Sequence, residues 1–304
     1  MLALFLLTPL PAAAAPAVPL KVSVYAGGFA SVNSFIVSNG KTLTVIDVQR
    51  KAVEAEKLAA LVRAAGLPLA YIVITHGHTD HFTGMAVFRR AFPKARIVVA
   101  NAAIKRDIKA YAIYMDQGGA TGAEPALDPA LRPRSAALPD GFDYEGAITV
   151  LRHPWLDLPG GGRLIIATDY PPTEAPHMAT YAAPAAHALF LSDLAYNRVH
   201  LWMGDDITLD RVRAWRGELV RLKRRYRGRR VTIYPGHGAP GGLDMLDRQI
   251  AYIDTYLAIV ARAKSPAEAQ EAMQARFPDY AEANFFLRYS VLNHVRPAAA
   301  GGAP

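Results

Sequence analysis

Six consecutive residues, His76-Gly77-His78-Thr79-Asp80-His81, limit what this chain can be more than any other feature. They follow a compact apolar segment, Tyr71-Ile72-Val73-Ile74, that reads as a strand, and they precede a stretch at 82–91 that reads as a helix. Residues two apart in an extended segment point the same way. His76 and His78 can therefore grip one cation, and once the chain turns, Asp80 and His81 can reach a second. Imidazole nitrogen with carboxylate oxygen suits zinc, with manganese and iron as the other fits. Histidines merely hydrogen-bonded at a strand edge would leave this concentration of ligands unexplained.

The surrounding pattern is a layered α/β one. Residues 21–25, 34–37 and 42–47 read as strands, with Gly27-Gly28 and the hairpin-type Asn39-Gly40 between them. Residues 52–65 carry apolar positions at helical spacing and stop at Gly66; 95–100 is the next strand. The Gly-, Ala- and Pro-rich stretch 117–139 reads as a long loop, either a lid or substrate-binding segment or a disordered insertion. Strands return at 148–152, 163–168, 179–182 and 188–191, then a long amphipathic helix at 209–226 and a last strand at 231–234. Past Leu243 the chain reads as helical. One helix opens at the capping box Ser265-Pro266-Ala267-Glu268, and another runs from Pro278-Asp279 to about Val295. The expected division is a leader at 1–15, a main domain at 20–250, and a helical extension with a frayed tail at 251–304.

Composition sharpens this. A chain of 304 residues with 52% hydrophobic residues can bury the core of one large domain. The absence of cysteine excludes disulfides, thiolate ligands and a cysteine nucleophile. The net charge is +8, and Lys223, Arg224, Arg225, Arg227, Arg229 and Arg230 form its densest run. Such a run can meet nucleic acid or an anionic membrane. Only Tyr226 interleaves it, however, so a solvated helix end is expected and a nucleic-acid partner is not. The first fifteen residues are apolar and end in small ones before Pro16, like the apolar and cleavage parts of a secretory signal, without a preceding basic segment. The run is too short for a stable membrane span, which takes about 20 residues. A periplasmic or secreted protein is expected.

With its H-x-H-x-D-H segment behind a strand, the chain resembles the metallo-β-lactamase superfamily, over about residues 22–237. The resemblance implies a four-layer αββα sandwich with short C-terminal helices and two divalent metal ions about 3.5–4 Å apart. It also implies later ligands: a histidine, an aspartate closing a strand, and a histidine in a Gly-His turn. Asp193 follows the strand 188–191, and His237 sits in Tyr234-Pro235-Gly236-His237-Gly238. The middle ligand departs from the pattern. Pro172-Thr173-Glu174-Ala175-Pro176-His177-Met178 is similar to the Thr-Glu-Ala-Pro segment of the alkylsulfatase branch, in which a glutamate replaces the histidine. Glu174 fits that register without a gap; His177 is the competitor and would shift the following strand. On this resemblance His76, His78 and Glu174 hold one ion, Asp80, His81 and His237 the other, and Asp193 bridges or completes them. Asp80 also orients a metal-bound hydroxide. Asp47 is similar to a structural aspartate of the family, or is a turn residue. Tyr196, Asn197, His200 and Trp202 fall on an expected active-site loop, with Tyr196 and His200 as candidate donors to an oxyanion.

The expected function is hydrolysis of a small ester, lactone or amide, β-lactams included, outside the cytoplasm. Sulfate-ester hydrolysis is an alternative, weakened because dedicated alkylsulfatases carry large further domains. Nucleic-acid processing and a non-catalytic metal-binding protein are the others. The complete ligand set that the resemblance implies argues against the last.

Overall fold

The computed structural model describes residues 18–119, 127–204 and 206–296. The expected leader at 1–15, residues 120–126 of the expected loop, and the end of the tail lie outside the described residues.

β1 (Lys21–Ala26), β2 (Asn33–Ser38) and β3 (Leu43–Ile46) form an antiparallel meander. Its tight turn is the expected one. Gly40 takes φ +79°, and Asn39 Oδ1 accepts the backbone N–H groups of Lys41 and Thr42 at 3.0 and 2.8 Å. From β3 onward the sheet is parallel. Helix α1 (Ala52–Ala64) crosses to β4 (Leu69–Ile74), and α2 (Thr79–Phe82) and α3 (Met85–Ala91) lead to β5 (Arg96–Val99). Helix α4 (Ala102–Asp116), a 3₁₀ turn at Pro129–Leu131 and α5 (Tyr144–Ala147) precede β6 (Ile148–Val150). A second sheet holds β7 (Trp155–Asp157), β8 (Arg163–Ala167), β9 (Thr180–Ala183) and β10 (Ala188–Asn197), all antiparallel. After α6 (Leu209–Tyr226), β11 (Thr232–Gly238) adds parallel to β10. Helices α7 (Asp244–Val260) and α8 (Pro266–Arg276) follow, then a π-helical turn (Ala283–Leu287) that runs into α9 (Arg288–His294).

Every residue of β3 is buried, as in a strand covered on both faces. One core joins Val62 of α1 and Ile108 of α4 to Ile72 of β4 and, across the sheet, to Leu164, Tyr181 and Phe190. A second core joins the other face of the second sheet, through Leu189 and Leu191, to Trp215, Ile253, Met273 and Val291. Phe190 faces one core and its neighbours the other, the period-two alternation of a strand between two layers. The architecture is the four-layer αββα sandwich. Among the described residues no helix is long and apolar enough to cross a membrane.

Several elements differ from the sequence reading. The helix expected at 82–91 is broken, because the Gly84 N–H donates to Gln49 O at 2.8 Å. Helix α4 was not anticipated, although Asn101 caps it by accepting from the Ile104 N–H, and Ile104, Ile108, Ala112 and Met115 keep helical spacing. The last helix starts at 283, not 278, since Ala281 pairs with Val199 and Glu282 turns left-handed at φ +65°. A boundary at 250 falls inside α7, and α7 to α9 help build the second core instead of hanging from the domain.

Candidate metal centre

Parallel pairing brings strand ends together. β3 and β4 end at one edge of the first sheet, and β10 and β11 run out at the facing edge of the second. Asp47 follows β3, His76 follows β4, Asp193 lies in β10 and His237 in β11. The loop carrying Glu174 is stitched to the same edge: His76 bridges Met178, and the Ala179 N–H donates to Thr75 O at 3.0 Å.

The side chains converge into two adjoining groups, His76–His78–Glu174–Asp193 and Asp80–His81–His237; within each, one ligand atom per residue lies within 4.8 Å of the others. His78 Nδ1 is 2.7 Å from Glu174 Oε1, and His76 Nε2 is 3.7 Å from Glu174 Oε2. Asp193 reaches both groups: its Oδ1 is 3.2 Å from His81 Nε2, and its Oδ2 is 3.0 Å from His237 Nε2 and 3.9 Å from His76 Nε2.

The outer nitrogens decide what the inner ones present. His81 Nδ1 donates to Asp47 Oδ2 at 2.8 Å, and His237 Nδ1 donates to Ala30 O at 2.7 Å. His76 Nδ1 meets Thr75 Oγ1 at 3.0 Å. A neutral imidazole that donates through Nδ1 offers a lone pair at Nε2. His81 and His237 thus aim lone pairs at the carboxylate of Asp193, and only a proton or a cation between them makes that contact favourable. His76 Nε2, His81 Nε2, Glu174 Oε2 and Asp193 Oδ1 are buried with no hydrogen-bond partner among the described residues. Leaving such atoms unpaired costs about 1–3 kcal/mol each. The donor set and these unpartnered atoms fit a pair of divalent cations.

The electrostatics agree. Burial pulls His76 well below its usual range, with His81 adding to the effect. Burial opposes charge on His78 and His81, but Glu174 lifts His78 to about 9, and Asp193 and Asp47 hold His81 well up. Burial would raise Asp193, yet His81 and His237 hold it well below the carboxylate range. Burial raises Glu174 against the pull of His78. A cation bound among these groups would displace protons from the imidazoles that the carboxylates hold up.

The cluster is braced from outside. Asp47 also accepts from the Thr75 N–H and hydroxyl, both at 2.9 Å, and sits at φ +57°. Gly236 is a close approach: a Cβ there would stand 1.9 Å from Asp193 Oδ1. Tyr196 stacks on His237 at 4.6 Å and donates its hydroxyl to Asp193 Oδ2 at 3.1 Å. Arg211, on α6, donates to the backbone carbonyls of Thr173 and Glu174 at 3.0 and 3.1 Å.

A cavity of about 280 Å³ opens onto His78, Asp80, Glu174, Asp193 and His237. Tyr196 and Trp202 line it as well. His177 lies outside the cluster, its side chain 48% exposed and its Nδ1 2.8 Å from Asp107; of the two contenders, it is Glu174 that joins the other donors. The expectation for His200 is corrected. Its backbone N–H is tied to Ala281 O, its ring is buried against Tyr252, whose hydroxyl is 2.9 Å from Nδ1, and it does not line the cavity. The chain turns at Arg198 (φ +54°) to pair Val199 with Ala281, which rotates His200 into the second core. Asn197 also turns away, donating to Ala239 O. The sequence reading missed the cavity walls: Phe29, Arg50, Tyr111, Phe285, Phe286 and Tyr289. Phe285, Phe286 and Tyr289 carried no local signal beyond that of an apolar helix.

The sequence profile described as the Metallo-beta-lactamase superfamily matches residues 27–237. Among solved structures, the chain is similar to a beta-lactamase domain protein from Burkholderia ambifaria, with 17% identity and a TM-score of 0.60 over 94% of this chain and 88% of that one. It is also similar to a metallo-beta-lactamase family protein from Thermus thermophilus, with 18% identity and a TM-score of 0.59 over 90% and 91% of the two chains. A metallo-beta-lactamase from Pontibacter korlensis gives 16% identity and a TM-score of 0.55 over 79% and 97%. At such identities the likeness speaks to the fold. No curated protein sequence matches.

Proposed function

The chain belongs to the metallo-β-lactamase superfamily, and from that premise we propose that it is a dinuclear metal-dependent hydrolase of a small ester, lactone or amide, β-lactams included. The observation that carries this is the convergence of His81 Nε2 and His237 Nε2, at 3.2 and 3.0 Å, on the buried Asp193 carboxylate, each ring held from its far side by Asp47 or Ala30. Two divalent cations, zinc first by donor type, would supply Lewis acidity there and bring the pKa of a water from about 15.7 toward about 7. His76, His78 and Glu174 would hold one, Asp80, His81 and His237 the other, with Asp193 touching both groups. Asp80 faces the cavity and is placed to take the proton of an attacking water. Tyr196 orients Asp193 through its hydroxyl, whose one proton is committed to Asp193 Oδ2 and so is not free for a developing oxyanion.

Glu174 in place of a histidine favours a second reading, sulfate-ester hydrolysis, on the same centre. A nucleic-acid substrate is less favoured: the basic run precedes β11, whereas His237 is near that strand's other end. The apolar leader supports action after export.

The test is turnover of a panel of esters, lactones, β-lactams and sulfate esters by the metal-loaded protein. Chelation should abolish activity and added metal restore it. Asp80→Asn should lower kcat by on the order of 10²-fold or more. A protein carrying two cations that turns over none of these would refute the reading.

A further inference from the structure

Two aromatic groups flank the cluster. Tyr111 and Tyr114 of α4 stand 5.7 Å apart, with Tyr111 also 5.4 Å from the His78 ring. Phe29 and Trp202 each lie 5.8 Å from Phe285, and Tyr289 extends this second group at 5.8 Å from Phe285. Tyr114 and Tyr289 remain 42% and 48% exposed. Large rings left in water around a cavity mark a surface built to cover an apolar ligand.

Arg50 is the one arginine or lysine among the described residues that line this cavity. Its Nη1 donates to Thr79 Oγ1 at 2.6 Å, and its guanidinium lies over the Phe29 ring at 5.0 Å. Thr79 stands between His78 and Asp80 in the chain, so the guanidinium is fixed beside the centre. Arg132, Arg211, Arg216 and Arg248 all pair with carboxylates. Arg50 has no such partner among the described residues, and its Nε and Nη2 hydrogens have no protein acceptor there. A half-buried guanidinium, oriented on two sides and unpaired on the third, is a fork for a planar two-oxygen anion.

Resting on the hydrolase reading, we propose that the substrate is an amphipathic carboxylate. Its alkyl or aryl body lies against the two aromatic groups, and its carboxylate sits on Arg50. The scissile bond then lies over the cluster. Binding and positioning are the only roles this assigns to Arg50 and the rings.

The test is calorimetric titration of the zinc-loaded protein with an unreactive pair, 6-phenylhexanoate and 6-phenylhexan-1-ol. The wild type should bind the acid at least about tenfold more tightly than the alcohol, the scale of a charge-assisted contact. Arg50→Gln should reduce that ratio to within about twofold, and Arg50→Lys should keep part of it. Tyr114→Ser with Tyr289→Ser, both at exposed rings, should weaken acid and alcohol alike. An acid that binds no better than the alcohol, or an advantage that survives Arg50→Gln because the metals hold the carboxylate, overturns the assignment. So does undiminished binding in the tyrosine double variant. Turnover of the panel of esters, lactones, β-lactams and sulfate esters is read separately. Its absence from protein that still discriminates acid from alcohol through Arg50 removes the hydrolase reading and keeps the recognition site.

Discussion

At the scale of single residues, Asp47 shows how the centre is prepared. Its carboxylate accepts from the Thr75 N–H, the Thr75 hydroxyl and His81 Nδ1, and its backbone is held at φ +57°. A non-glycine residue there carries about 1–3 kcal/mol of strain, which the three hydrogen bonds offset. Asp47→Ala should release the His81 ring to either tautomer and weaken cation binding about 10–100-fold, read by competition with a chromophoric chelator. Undiminished affinity would mean that Asp47 is only a turn residue. The motif His76 to His81 was legible because its members are neighbours on a strand end, where spacing alone sets direction. Asp193 and His237 were legible through the family resemblance, each beside an apolar strand. Glu174 was preferred to His177 only on the register of the family resemblance, because a loop imposes no periodicity and both are polar. The sorting came from the bridge between His76 and Met178 and from the Asp107 partner of His177.

At the scale of elements, Glu174 is carried by an irregular loop, whereas Asp193 and His237 lie in strands. The loop's anchor is the first turn of α6, from which Arg211 forks onto the Thr173 and Glu174 carbonyls. Arg211→Met keeps most of the side-chain bulk and removes both donors. Cation affinity should fall by on the order of tenfold, Arg211→Lys should recover part of it, and protease should cut near residue 174 faster in the cation-free variant. Equal affinity and equal cleavage would assign the loop's order to the Met178 bridge alone. Strands and the long helices were readable from local pattern, but their limits were not. β10 and β11 run on to Asn197 and Gly238 because each has the other as a partner. The helix expected at 82–91 breaks where Gly84 bonds to Gln49. His200 turned inward for the same kind of reason, a pairing with residue 281 that no local window contains.

At the scale of the whole molecule, the centre joins the layers. Its residues come from both sheets, and α9 with the turn before it packs onto the cavity: Phe286 meets His237 at 5.1 Å. Cations held there bind only the folded chain and stabilise it by mass action, about 4 kcal/mol at a thousand times Kd. Chelation should therefore lower Tm by on the order of 10 °C in thermal unfolding, and a Tm indifferent to chelator would show that the layers close without cations. The sandwich was legible because strand and helix patterns alternate and the motif sits where a strand ends. The contribution of the C-terminal helices was not, since their apolar faces read the same whether they cover a core or a cavity. The most direct test is metal content by elemental analysis, wild type beside Glu174→Ala and His177→Ala. The account predicts about two zinc or manganese ions per chain in the wild type and in His177→Ala, and a clear loss in Glu174→Ala. No cation bound or taken up by the wild type, or loss in His177→Ala alone, would contradict it.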